Sequence, residues 1–150
     1  MVNYTPKLAE MPNPDRLLHS VDDLMTCNFI SFREEMDIEE AVKSLLKHDY
    51  SSAPVINQQG YLVGMLSEKD CLKLATEIRY HNTHLGHVRD YMTTNVSTIG
   101  EGANIFNVID RFLAEGFKTY PVVTFDGVVV GVVTRKQALK FVSGLRQTTW

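Results

Sequence analysis

The sequence predicts an α/β protein made of two copies of one β-α-β-β-α unit, packed against each other with pseudo-twofold symmetry. Three observations predict it. The chain matches itself without a gap when shifted by 67 residues, over 21–77 and 88–144. Each copy alternates short β-prone runs with amphipathic helical stripes. Finally, one copy alone is too short to cover both faces of its sheet, so two copies facing each other are the physical solution, and that pairing leaves a cleft between them.

The duplication rests on aligned residues. Val21-Asp22-Asp23-Leu24-Met25-Thr26 lies over Val88-Arg89-Asp90-Tyr91-Met92-Thr93, and Pro54-Val55 lies over Pro121-Val122. Gly60 lies over Gly127, Val63-Gly64 over Val130-Gly131, Lys69 over Lys136, and Leu72-Lys73 over Leu139-Lys140. In all, 16 of 57 aligned positions are identical, roughly four times the chance level, which establishes an internal repeat.

Each element then follows in order. Phe29–Phe32 and Val96–Ile99 are short β-prone runs. Ile38, Ala41, Val42, Leu45 and Leu46 form a helical stripe, with Asp37 as N-cap and Glu40 completing a box-like pair. Ile105, Val108, Ile109, Phe112 and Leu113 repeat that stripe behind Asn104. Ala53–Ile56 and Tyr61–Leu66 read as strands around a loose Asn57–Gly60 turn. Tyr120–Phe125 and Val128–Val133 flank Asp126-Gly127, a two-residue hairpin signal. A closing helix is expected over about Glu68 to Arg79, and again over about Arg135 to Leu145. Residues 1–20, with Pro6, Pro12 and Pro14, are expected to form an extended arm, and the polar, histidine-rich 78–87 a connector. The second copy then runs through 88–150.

Composition narrows the function. With 44% hydrophobic and 22% charged residues, the 150-residue chain suits a soluble globular protein. A net charge of −3 gives no bulk attraction to phosphate polymers, so a general nucleic-acid binder is disfavoured. No run approaches the roughly 18–20 apolar residues of a membrane span, and the N-terminus lacks a secretory pattern. A cytoplasmic protein is expected, with Cys27 and Cys71 as buried or half-buried thiols. No nucleophile–base spacing, phosphate loop or dinucleotide fingerprint is present, so no enzyme activity is expected. His81, His84 and His87 have spacing that could suit a metal on a helix, but they read as a solvated connector, and no metal is expected. The carboxylates Glu34-Glu35 and Glu39-Glu40 read as a wet loop and helix face. Phe29, Phe32 and Tyr61 read as core.

The ordered marks resemble the CBS domain in its tandem form, the Bateman module. They are the Asp-Leu-Met-Thr and Asp-Tyr-Met-Thr runs, Ala53-Pro54-Val55-Ile56 with Tyr120-Pro121-Val122-Val123, and the glycine-led strands that enter Ser67-Glu68-Lys69-Asp70 and Thr134-Arg135-Lys136-Gln137. The resemblance covers about 21–144. It implies a regulatory module that binds AMP, ADP, ATP, S-adenosylmethionine or a related ligand in the cleft, needs no cofactor, dimerises, and signals to an unidentified regulated protein.

The resemblance also picks out a site. Ser67 stands at a strand-to-helix junction, and Asp70 follows one turn later on the same face. A carboxylate there can accept from both ribose hydroxyls, with phosphate near the helix start. Two readings stand side by side: Ser67 and Asp70 hold a ribose phosphate, or they simply cap the helix. In the second copy Thr134 matches Ser67, but Gln137 replaces Asp70 and lacks its charge. Lys118 and Arg135 would supply positive charge from across the cleft. Ile30, Ser31, Ala53 and Pro54, with Thr98, Tyr120 and Pro121, match the family's adenine side, and Tyr120 could stack on a base or pack in the core. The alternative function is a ligand-free dimerisation or protein-interaction module.

Overall fold

The computed structural model describes residues 19–80 and 84–149. The arm expected at the N-terminus falls outside these residues up to position 18, as does His81. In chain order the elements are a 3-10 turn Val21–Asp23, α1 Ile38–His48, β1 Ser52–Ile56, β2 Leu62–Ser67, α2 Glu68–Cys71 and α3 Leu74–Tyr80. The second copy follows with a 3-10 turn Val88–Asp90, β3 Ile99–Gly100, α4 Ile105–Glu115, β4 Thr119–Val123, β5 Val129–Thr134 and α5 Arg135–Thr149.

The long helices start where the sequence places their caps. The Asp37 carboxylate accepts from the Glu39 amide at 3.3 Å, and the Asn104 side chain accepts from the Phe106 amide at 2.8 Å. Glu40 closes no box with Asp37; its own amide bonds the Asp37 carbonyl. Ile38, Ala41 and Leu45 are buried on α1, as are Ile105, Val108 and Phe112 on α4. The expected stripe is narrower than its pattern, because Leu46 and Leu113 are 69% and 81% exposed.

The strands differ from expectation in two ways, and one helix in a third. Phe29–Phe32 makes one parallel bridge, Phe32 to Val55, and its counterpart is the two-residue β3 on β4. The residues before these bridges diverge from the ladder, and in copy 2 the Thr98 carbonyl bonds Arg111 instead. The β1–β2 and β4–β5 hairpins share one turn rather than a loose turn and a two-residue one. In both, a glycine at positive φ (Gly60 +91°, Gly127 +97°) closes a three-residue loop by bonding back to Asn57 or Thr124. The helix expected over Glu68 to Arg79 is broken between α2 and α3, where the backbone bonds tighten to i→i+3 spacing from Asp70 to Thr76. Its counterpart α5 runs on unbroken past the expected end. Cys71 is buried but Cys27 is exposed, and both are free thiols. Burial, and then the nearby Asp70 and Glu68 carboxylates, push the Cys71 thiol up to about 11.

What joins the copies is an exchange of their leading segments. Thr26 pairs with Val132 of β5 through two backbone bonds, 2.8 and 3.0 Å. Thr93 pairs with Met65 of β2 through two more, 2.9 and 2.8 Å. Ser20 likewise bridges to Asn104, and His87 to Asp37. Each hydrophobic core is thereby completed by the other copy: Val21, Leu24 and Met25 pack with the core around Ile99, Val122 and Tyr120. Val88, Tyr91 and Met92 pack with that around Phe32, Val55 and Leu66. The hairpin tips meet too, Leu62 N–H donating to the Gly127 carbonyl and Val129 N–H to that of Gly60, both at 3.0 Å. Every one of these contacts has its partner under exchange of the copies, which is the pseudo-twofold symmetry.

The exchange explains two glycines. A Cβ on Gly64 would lie 2.9 Å from the Thr93 carbonyl oxygen and 2.8 Å from Met92 Sδ. On Gly131 it would lie 3.1 Å from the Thr26 oxygen and 2.6 Å from Met25 Sδ. Gly64→Ala is therefore expected to lower unfolding stability in urea by about 1–3 kcal/mol. Gly131→Ala, where the backbone has more room, should cost less. Gly100→Ala, with nothing within 4 Å, should stay within about 0.5 kcal/mol of the parent.

Candidate functional site

The exchange also shapes a cleft of about 990 Å³ between the copies. One side carries Ser67 and Asp70 at the β2–α2 junction. The crossing segment supplies Thr93 and Asn95, and the far wall carries Ser97, Glu115, Phe117 and Lys118.

The β2–α2 junction folds as a capping box. Ser67 Oγ accepts from the Asp70 amide, and Asp70 Oδ2 accepts from the Ser67 amide, both at 3.0 Å. The Glu68 amide donates to the Ser51 carbonyl at 2.8 Å. These amides are already partnered, so the phosphate role expected of the helix start does not rest on them. Asp70 Oδ1 is less committed: the Thr93 hydroxyl reaches it at 3.4 Å and Lys73 Nζ at 3.8 Å. The Asp70 side chain is 13% exposed. It combines a carboxylate oxygen locked by the backbone with one that can accept from a ligand.

The same box recurs in copy 2. Thr134 Oγ1 accepts from the Gln137 amide at 3.2 Å, and Gln137 Oε1 accepts from the Thr134 amide at 2.9 Å. The amide Nε2 of Gln137 donates to the Thr26 hydroxyl at 2.6 Å, where Asp70 accepts from Thr93. The Asp-to-Gln difference between the copies thus reverses the direction of one cross-copy hydrogen bond.

Of the residues expected to form the site, Ser67, Asp70, Lys118 and Pro121 line this one cleft. Thr134, Arg135 and Gln137 occupy the pseudo-equivalent junction; the Arg135 amide donates to the Lys118 carbonyl at 3.0 Å, but Arg135 is not among the residues that line the cleft. Ser31 and Thr98 are half-buried and are not among the lining residues. Ala53, Pro54 and Tyr120 are buried in the cores. Tyr120 therefore presents no face to a base: its ring packs on Phe112 at 4.7 Å and under the Arg111 guanidinium at 4.9 Å. The exposed ring is Phe117, two residues past α4, which sequence reasoning missed. Its signal was available: Gly116 ends α4 in the left-handed region (φ +78°), so Phe117 begins a loop rather than continuing the stripe.

A polar network stiffens the far wall. Arg111 donates to the Thr98 carbonyl at 2.6 Å, to Glu115 Oε2 at 3.1 Å and to the Ser97 hydroxyl. Glu115 Oε1 accepts from the Ser97 and Tyr120 hydroxyls, both at 2.9 Å. The hydrogen bonds from Arg111, Tyr120 and Ser97 hold the Glu115 carboxyl below its usual range. Burial, and then that carboxylate, push the Tyr120 phenol up to about 12. Among the described residues, no three or more metal-ligating side chains converge, and no helix is long and apolar enough to cross a membrane.

The sequence profile of the CBS domain matches the chain twice, at residues 21–77 and 88–144. The chain is similar to protein MJ1225 of Methanocaldococcus jannaschii, at 28% identity over 120 residues, or 80% of this chain and 41% of MJ1225, less than half that relative's length. CBSX2 of Arabidopsis thaliana, solved in complex with AMP, superposes with a TM-score of 0.76 at 25% identity, over 85% of this chain and 98% of CBSX2. The CBS domain pair of protein MJ0100, solved with 5-methylthioadenosine and S-adenosyl-L-methionine, superposes with a TM-score of 0.70 at 26% identity, over 83% and 96% of the two chains.

The Glu115 network generates a pH prediction. A carboxyl whose folded pKa lies below its unfolded value stabilises the fold above the unfolded pKa, and that contribution is lost as pH falls through the folded one. Glu115→Gln is therefore expected to lower the melting midpoint at neutral pH. The deficit should shrink as the pH drops below about 4, a trend that melts across a pH series will show.

Proposed function

The chain belongs to the CBS domain family as a tandem pair, and on that premise we propose that its cleft binds an adenosine-type nucleotide and that the pair acts as a regulatory module, not an enzyme. The observation that carries this reading is the meeting of Asp70 from copy 1 and Lys118 from copy 2 in one cleft of about 990 Å³, within the size range of small-molecule sites. Asp70 Oδ1 accepts from the ribose hydroxyls, and Lys118 takes up phosphate charge. That CBSX2 and the MJ0100 pair were solved with adenosine-containing ligands supports the same reading.

Binding would be read out through the contacts that join the copies. Ribose hydroxyls compete with the Thr93 hydroxyl for Asp70, and Thr93 belongs to the segment that pairs with β2. A ligand that replaces this contact favours an arrangement of the copies in which Thr93 has released Asp70 over the one in which it is bonded, and so shifts the balance between them. A partner protein would detect the shift. The matched exposed leucines Leu46 and Leu113, and Leu72 and Leu139, favour a homodimer in which helices of two chains cover one another.

A ligand at a hundred times its dissociation constant adds about 2.7 kcal/mol of stability. The melting midpoint should therefore rise by roughly 5–10 °C with AMP, ADP, ATP or S-adenosylmethionine. Asp70→Asn preserves a cap acceptor and removes the charge, and it is expected to weaken binding roughly tenfold or more by calorimetry. Lys118→Ala should weaken phosphate-bearing ligands and leave adenosine little changed. A flat thermal screen would sink the reading and favour the ligand-free interaction module, and full affinity in both variants would overturn Asp70 and Lys118 as the residues that grip the nucleotide.

A further inference from the structure

The loop after α4 places three different chemistries on the cleft wall. Glu115, Phe117 and Lys118 all line it, around the left-handed turn at Gly116. Phe117 is a large apolar ring left 49% exposed on the cleft wall. It meets the buried Tyr120 edge-on at 5.8 Å, an anchor that fixes its position. An exposed, anchored aromatic ring is a stacking surface for a flat heterocycle.

Glu115 stands beside it with its side chain about one-third exposed (34%). An ionised carboxylate only accepts, and it has about four lone-pair positions. Oε2 is engaged by Arg111 Nε at 3.1 Å, and Oε1 by Tyr120, Ser97 and, at 3.4 Å, Arg111 Nη2. The donors fix the group in place and favour its ionised form, and Oε2, with a single donor, keeps an acceptor position open. Copy 1 has no such device. Ile30, Ser44, His48 and Ala53 stand where copy 2 has Ser97, Arg111, Glu115 and Tyr120. The duplication of the fold therefore does not account for the network, which borders the cleft that contains Asp70.

The geometry points to Phe117 and Glu115 as the base-reading pair of this cleft: the Phe117 ring stacks on a purine, and the Glu115 carboxylate accepts from its exocyclic amino group. Adenine offers an amino donor at that edge, whereas hypoxanthine and guanine offer a carbonyl oxygen that a carboxylate repels. Glu115 is thus a specificity-determining residue for 6-aminopurines, and Lys118, one residue beyond Phe117, receives the phosphate. This inference rests on the nucleotide reading above.

The test is calorimetric titration of the full chain with AMP and IMP, and with ATP and ITP, alongside ribose 5-phosphate. The parent should prefer each adenine nucleotide over its inosine counterpart by about tenfold. In Glu115→Gln, whose amide can also donate to a carbonyl, that preference should collapse to within about threefold. Phe117→Ala should weaken every purine nucleotide by about tenfold and leave ribose 5-phosphate unchanged, while Phe117→Tyr retains affinity. Melting curves report that each variant is folded. If the parent binds AMP or ATP but shows no preference, or if both Glu115→Gln and Phe117→Ala behave as the parent, the base-reading pair is overturned and the nucleotide reading stands. If the parent binds none of the nucleotides, both fall.

Discussion

The architecture depends on one constraint: neither copy closes its own core. Val21 and Val88 are fully buried, each against the core of the other copy. A fully buried valine contributes about 1.5–3 kcal/mol, and the paired backbone bonds at Thr26–Val132 and Thr93–Met65 align each segment on its neighbour's strand. The copies therefore cannot separate without opening two cores and two strand additions together. The duplication is a mechanical necessity of this fold, since a single copy would expose a sheet edge and an unfilled core.

That constraint accounts for the shared residues at the head of each copy. The valines fill the opposite cores. Asp23 and Asp90 accept from the backbone at the start of each 3-10 turn. Met25 and Met92 lie over Gly131 and Gly64, which are glycines because a methyl group would strike them. Thr26 and Thr93 make the strand additions and then extend their hydroxyls to Gln137 and Asp70. Structural residues and candidate ligand residues thus share one hydrogen-bonded chain. The capping reading and the ribose reading of Asp70 do not compete, because Oδ2 serves the backbone while Oδ1 keeps acceptor capacity, the Thr93 hydroxyl lying 3.4 Å from both.

Symmetry in the backbone does not carry over into the chemistry. The second copy surrounds Tyr120 with Arg111, Glu115 and Ser97, where the first has Ser44, His48 and Ile30 around Ala53. One cleft wall is therefore rigid and carries an acceptor, a ring and a cation, while its counterpart is built from different groups. A pair of near-identical scaffolds can in this way present two unlike surfaces.

The sequence by itself determined the duplication, the two capped helices, the strand pairs and the pairing of Ser67 with Asp70, because these depend on local spacing, cap chemistry and self-similarity. The equivalence of Pro54 and Pro121 also followed from alignment of the copies, whereas the place expected for Lys118 came from the resemblance to the CBS domain. Tertiary structure alone decided which copy completes which core, since that exchange is made by backbone bonds between residues far apart in the chain. It also decided that Tyr120 is core and Phe117 is exposed. Both are aromatic and lie three residues apart, and only the wall packed behind Tyr120 separates their roles. Likewise Leu46 and Leu113 fit the helical stripe, but the exchanged segments and sheets reach too little of each helix to cover them.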